Sequence, residues 1–164
     1  MRFGFGRVLD LIEGPTTSSE ENITMQVLYT AEAVAVGDGR DGEVRSSDGV
    51  IDEQLATPKE LGGPGGDRTN PEQLFAAGYA ACFHSALRLS ARQLGVRVGE
   101  TTVTAKVGLG RDDAGAFGLT VALDVHVPGV DQATADRLVE AAHRVCPYSN
   151  ATRGNIEVAL TATV

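Results

Sequence analysis

The sequence has no tryptophan, two cysteines, two lysines (Lys59 and Lys106) and only 5% aromatic residues across 164 positions. Each shortage excludes something. Lysine and arginine together number 14 against 22 aspartates and glutamates, so the chain carries a formal charge of −8 and repels phosphate backbones and anionic lipid surfaces. No nucleic-acid partner and no membrane association are expected. No apolar run approaches the roughly 18 residues that a membrane-spanning helix needs. The opening Met1-Arg2-Phe3-Gly4-Phe5-Gly6-Arg7 lacks a continuous apolar stretch, and Asp10 and Glu13 interrupt the residues after it, so it makes a poor secretory signal. A reducing cytoplasm is the expected setting, in which Cys82 and Cys146 are free or redox-active rather than a permanent crosslink.

Several chemistries lack their residues. His84, His126 and His143 form no His-x-x-x-His pattern and no Cys-x-x-Cys occurs, so no metal is expected. A Gly-x-Ser-x-Gly nucleophile elbow is missing as well. Gly37-x-Gly39-x-x-Gly42 matches the dinucleotide fingerprint by letter, but Glu43 to Ala56 reads as strand, Asp-Gly turn and strand, with no helix to receive a pyrophosphate. The Gly62 to Gly66 segment lacks the Gly-Lys-Ser/Thr ending of a phosphate-binding loop. No cofactor is therefore expected.

The remaining sequence divides into a short extension and one domain. Residues 1–24 have no sustained period and end in the polar run Thr16 to Asn22, which predicts a flexible extension; the domain spans 25–164. Strand-forming residues run from Val27 to Val36, then Gly37 to Gly42 turns the chain, and short extended segments follow at Glu43 to Ser46 and Val50 to Ala56. The prolines and paired glycines of Thr57 to Thr69 make a connecting loop. Asn70 is a good N-cap and Pro71 suits the first position of a helix that should end at Gly95. Thr101 to Gly110 and Phe117 to Val127 form a hairpin, Asp131 caps a second helix that Pro147 stops, and a last strand runs from about Asn155 to Val164. The order β-β-β-α-β-β-α-β predicts an α+β fold with two main helices and largely antiparallel pairing.

The cysteines are the chemical candidates. A cysteine inside an apolar helix is usually a small hydrophobe, yet Gly78, Ser85 and Ala86 around Cys82 leave room for another group to approach its sulfur. Cys146 sits at a helix end before a proline, where a thiol is less confined. His143, three residues earlier, is either a thiol–imidazole neighbour or a solvated histidine. Local sequence leaves the pairing of the two cysteines open.

Taken together, Val27-Leu28-Tyr29-Thr30-Ala31, Gly39-Arg40-Asp41-Gly42, Ser46-Ser47-Asp48-Gly49, Leu61-Gly62-Gly63, Thr69 to Tyr79, Ala81-Cys82-Phe83 and Cys146-Pro147-Tyr148-Ser149-Asn150-Ala151 resemble the organic hydroperoxide resistance proteins of the OsmC superfamily. The resemblance covers Val27 to Val164. It implies an OsmC-like fold, an intertwined homodimer, and a thiol peroxidase that reduces organic hydroperoxides, fatty-acid hydroperoxides included, with a lipoylated protein or dihydrolipoamide as reductant. By motif it also implies that Cys82 is the peroxidatic and Cys146 the resolving cysteine, that Arg40 activates the thiolate and that Glu72 orients Arg40. No metal, haem or flavin is implied.

Physical chemistry accommodates these roles. The attacking species is a thiolate, and in an apolar helix it needs a permanent cation, which Arg40 supplies with a fork that suits sulfur and peroxide oxygen together. Glu72 beside the sulfur would oppose the thiolate, so its sensible role is a bidentate grip on Arg40. Residues 72 and 82 on one helix are about 15 Å apart, so either Arg40 spans the gap or two subunits share the site. Phe75, Tyr79 and Phe83 are candidate walls of a substrate pocket, or plain core. The alternatives are a general OsmC-type peroxidase, or a non-enzymatic redox sensor or hydrophobic-ligand binder on the same fold.

Overall fold

A computed structural model describes residues 25–164, so the extension expected over 1–24 lies outside the described residues. Residues 25–32 form no helix or strand and are exposed, which shortens the first expected strand. Strand β1 is Ala33–Val36, and it pairs antiparallel with β2, Glu43–Ser46, from Ala33 opposite Ser46 to Val36 opposite Glu43. The partner offers four residues, and strand character ends where the ladder that satisfies the backbone ends. β3, Asp52–Gln54, pairs antiparallel with the other edge of β2 and is also shorter than the 50–56 expected. Just beyond it Leu55 bridges Thr69. Every residue of β1 and β3 is exposed, so this three-stranded sheet buries almost nothing on its own.

Helix α1, Pro71–Gln93, begins as its sequence dictates. The Asn70 side chain accepts the backbone N–H of Gln73, and Pro71 occupies the first position, where its missing N–H costs nothing. An Asn70→Ala substitution is expected to cost about 1 kcal/mol, read as a lower urea midpoint with an unchanged slope. The helix ends at Leu94, and Gly95 follows with φ of +66°, a left-handed conformation that glycine takes without strain.

The second sheet carries most of the core. β4, Thr102–Arg111, and β5, Phe117–His126, form the expected hairpin, paired along all ten residues. Alternate residues Val121, Leu123 and Val125 of β5 are buried, the period of two that puts one face on a core. α2, Gln132–Val145, starts at Asp131, whose carboxylate accepts the Thr134 N–H. Pro147 stops α2 as expected but also opens an unanticipated third helix, α3, Pro147–Thr152. Proline cannot continue a helix, yet its fixed φ suits the start of a new one. The chain returns as β6, Val158–Thr163, parallel to β5, so the sheet order is β4-β5-β6; the other strand pairings are antiparallel, which leaves the fold largely antiparallel as expected.

Tyr79, Phe83 and Leu87 of α1, Leu123 and Val125 of β5, and Leu138 and Ala142 of α2 meet in one apolar cluster that also includes Cys146. The fold is α+β, as the element order predicts.

Candidate active site

Two arrangements hold the residues singled out in the sequence. The first centres on Arg40. The turn between β1 and β2 places it in a single 3₁₀ turn, Gly39–Asp41. Asp41 anchors that turn, because its carboxylate accepts the N–H of Thr57 at 2.8 Å and the Thr57 hydroxyl at 3.0 Å. Gly42 closes it, and a Cβ there would collide with the Val36 carbonyl oxygen. So positioned, Arg40 donates to both carboxylate oxygens of Glu72 at 2.8 and 2.6 Å. This is the fork geometry in which guanidinium and carboxylate bind most tightly. The Arg40 guanidinium holds the Glu72 carboxyl below the usual carboxylate range, and partial burial opposes that only in part. One side of the guanidinium remains open, with the Arg40 side chain 38% exposed. The glycine-rich sequence at 37–42 thus builds a turn that aims an arginine, and no dinucleotide-binding helix follows it.

The second arrangement is the sulfur pair. Cys82, halfway along α1 and half-buried, faces Cys146, which is fully buried at the junction of α2 and α3. The Cys146 thiol donates to the Cys82 sulfur at 3.6 Å. The sulfurs stand only about 1.5 Å beyond the length of a covalent S–S bond. Burial pushes the Cys82 thiol up, the backbone N–H of Tyr148 opposes this, and the second sulfur adds to it because two adjacent thiolates repel. Among the described residues of the same chain, no guanidinium is among the groups that counter the burial.

The junction holding Cys146 is tied to α1 by a buried polar network that the sequence did not reveal. The Tyr79 hydroxyl donates to Ser149 Oγ at 3.0 Å and lies 3.2 Å from Thr152 Oγ1, while His143 Nδ1 lies 3.0 Å from Ser149 Oγ. His143, partly buried, therefore bonds to Ser149, and no hydrogen bond joins it to Cys146 among the described residues. Burial lowers its pKa, with the charge of Arg153 acting the same way. A serine fully buried three residues after a cysteine was the available signal, but polarity alone gave no sign of its burial.

Cys82 opens onto a cleft of about 460 Å³ lined by Ser85, Ala86, Leu89, Arg92, Val145 and Pro147. Ser85 and Ala86 leave the expected room at the sulfur. Gly78 does not, because the Tyr148 ring lies over it, and a Cβ there would come within 3.1 Å of the tyrosine hydroxyl. Of the expected pocket walls, Tyr79 and Phe83 are wholly buried in the core and do not line this cleft. Phe75 packs edge-on against Tyr79 with ring centroids 5.9 Å apart. Helix periodicity puts positions 75, 79 and 83 on the core side of α1, one stripe away from the cleft.

Arg40 and Glu72 meet each other, and Cys82 meets Cys146. Among the described residues no hydrogen bond joins one pair to the other. Nor do the described residues contain a group of three or more histidine, cysteine, aspartate or glutamate side chains placed to hold a metal ion, and no helix among them is long and apolar enough to cross a membrane.

Comparison with known proteins gives a consistent picture. The sequence profile of OsmC-like proteins matches residues 63–161. The organic hydroperoxide resistance protein of Xanthomonas axonopodis pv. citri is 56% identical over 83% of this chain and 95% of its own length. Among solved structures, an organic hydroperoxide resistance protein of Legionella pneumophila is 50% identical, with a TM-score of 0.80 over 85% of this chain and 100% of the other. One from Elizabethkingia anophelis is 55% identical, again with a TM-score of 0.80, over 85% and 99%. With this sheet order, these helices and identity above one half across nearly the full length of such proteins, the chain belongs to the OsmC family, among its organic hydroperoxide resistance members.

Proposed function

We propose that the chain is a thiol peroxidase that reduces organic hydroperoxides, fatty-acid hydroperoxides included, to alcohols. The observation that carries this reading is the pair of free thiols 3.6 Å apart, one of them at the wall of an apolar cleft. The Cys82 thiolate attacks the terminal peroxide oxygen; an S–O bond forms, the O–O bond breaks, and the alkoxide takes a proton and leaves as alcohol. Cys82 is then a sulfenic acid. Cys146 attacks that sulfur, expelling water and forming the disulfide before further oxidation occurs. A dithiol attacks the disulfide, and its second thiol completes the exchange, returning both cysteines and leaving the donor as a cyclic disulfide. A lipoyl dithiol, from a lipoylated protein or dihydrolipoamide, suits this step because its short arm is apolar, like the lining of the cleft. A reducing cytoplasm, where the thiols stay free between turnovers, suits the cycle.

Arg40 is the cation for the thiolate and Glu72 its positioning residue. The pair is not bonded to Cys82 of its own chain, and the roughly 15 Å of helix between Glu72 and Cys82 favours delivery from a second subunit. The exposed strands β1 and β3 support the same arrangement. Val34 and Val36 of β1 are exposed, as are the apolar Val27, Leu28 and Tyr29 in the segment before it, and a partner chain would cover such apolar side chains in an intertwined homodimer. We assign residues 25–164 to this peroxidase domain.

Steady consumption of cumene hydroperoxide with dihydrolipoamide tests the reading, and a reduced, folded protein that oxidises once without turning over would favour a sensor instead. Cys146→Ser separates the two half-reactions. That variant is expected to consume about one equivalent of peroxide per chain and then stall, with Cys82 carrying one added oxygen by mass spectrometry and more under excess peroxide.

A further inference from the structure

The cleft at Cys82 is apolar along its length but ends in a cation. Cys82, Ser85, Ala86, Leu89 and Arg92 recur at three- and four-residue steps along one face of α1, with Val145 and Pro147 opposite. The Ser85 hydroxyl is already committed to the Ala81 carbonyl at 2.9 Å, so it offers its proton to no ligand. Arg92 differs from the arginines around it. Arg88 donates to the Gly99 carbonyl, Arg144 pairs with Glu140, and Arg153 donates to the His143 carbonyl. Arg92 is exposed and takes part in none of the ion pairs among the described residues. In a chain of net charge −8 this places a guanidinium with no ion-pair partner among the described residues at one end of the apolar cleft.

Distance defines what such a channel recognises. Arg92 lies about 15 Å of helix beyond Cys82, and helix side chains lean back toward the N-terminus, so roughly 10 Å separates guanidinium from sulfur. That separation is also too great for Arg92 to activate the thiolate, consistent with its absence among the groups acting on Cys82. A ligand satisfying both ends has an anionic head, an apolar body and a peroxide well along its chain. Resting on the peroxidase reading, we propose that Arg92 binds the carboxylate of a long-chain fatty-acid hydroperoxide while Cys82 attacks its peroxide, so that the protein prefers carboxylated to neutral hydroperoxides of the same chain.

The test compares linoleic acid hydroperoxide, its methyl ester and cumene hydroperoxide, each with dihydrolipoamide, in the wild type, Arg92→Ala and Arg92→Lys. Loss of one charge-assisted contact predicts that Arg92→Ala raises KM for the acid about tenfold relative to KM for the ester and for cumene hydroperoxide, with the effect falling on KM rather than kcat. Arg92→Lys, which keeps the charge, is expected to retain most of the wild-type preference, and added salt should erode the preference in the wild type and this variant but not in Arg92→Ala. Equal effects of Arg92→Ala on acid and ester, or none on either, overturn the carboxylate site while leaving the peroxidase intact. A wild type that turns over none of the three overturns the peroxidase reading and this inference with it.

Discussion

Cys82→Ser protein is expected to consume cumene hydroperoxide at no more than the background rate when supplied with dihydrolipoamide, while keeping the fold of the wild type. The reason is electronic rather than structural. Serine matches the shape of cysteine at a half-buried position on α1, but its hydroxyl stays protonated at neutral pH and cannot replace a thiolate as nucleophile. Burial already works against ionisation at this site, so the serine has no route to an anion. Stopped-flow mixing with one equivalent of peroxide sharpens the result, since the serine variant should show no first turnover at all, whereas Cys146→Ser completes one. Residual turnover within a few-fold of wild type would move the nucleophile elsewhere, with Cys146 the next candidate.

The second large effect is expected at Arg40. Arg40→Gln should lower kcat/KM for cumene hydroperoxide at pH 7 by about 10²- to 10³-fold, the usual consequence of losing one preorganised electrostatic donor. Its pH profile carries the diagnosis. A cation stabilises the thiolate and lowers its pKa, so without it the thiol returns to the raised value that burial imposes. The variant should therefore regain rate as pH rises from 7 to 9, over a range where the wild type changes little. Iodoacetamide alkylation of Cys82 should shift to higher pH in parallel. A flat, uniformly low profile would make Arg40 a structural residue instead.

Mixing the two variants distinguishes a shared site from a self-contained one. If one subunit supplies Arg40 and the other Cys82, refolding Cys82→Ser with Arg40→Gln regenerates one intact site per mixed dimer. Random pairing then predicts recovery of about a quarter of wild-type activity. No recovery, with mixed dimers verified, would place Arg40 and Cys82 of one subunit together during turnover.

Local signals in the sequence determined much of this protein. Asn70-Pro71 starts α1 because a side-chain acceptor and a residue without an N–H both suit a helix N-terminus. Asp131 caps α2 by the same physics, and Gly95 ends α1 because glycine takes positive φ freely. Alternation at two-residue spacing fixed the β4–β5 hairpin, and the paired cysteine motifs carried the family resemblance. These features depend on neighbours within a few residues, so they are legible in one dimension. Tertiary packing decided the rest. It set the length of β1 through the four residues β2 offers and made β6 parallel to β5. It put Tyr79 and Phe83 in the core, where the sequence left pocket wall and core both open, and it turned His143 to Ser149. It also brought two sulfurs far apart in sequence to 3.6 Å and placed Arg92 in the wall of the cleft beside one of them. Proximity between distant residues follows from how faces pack against one another, and no local propensity encodes a distance.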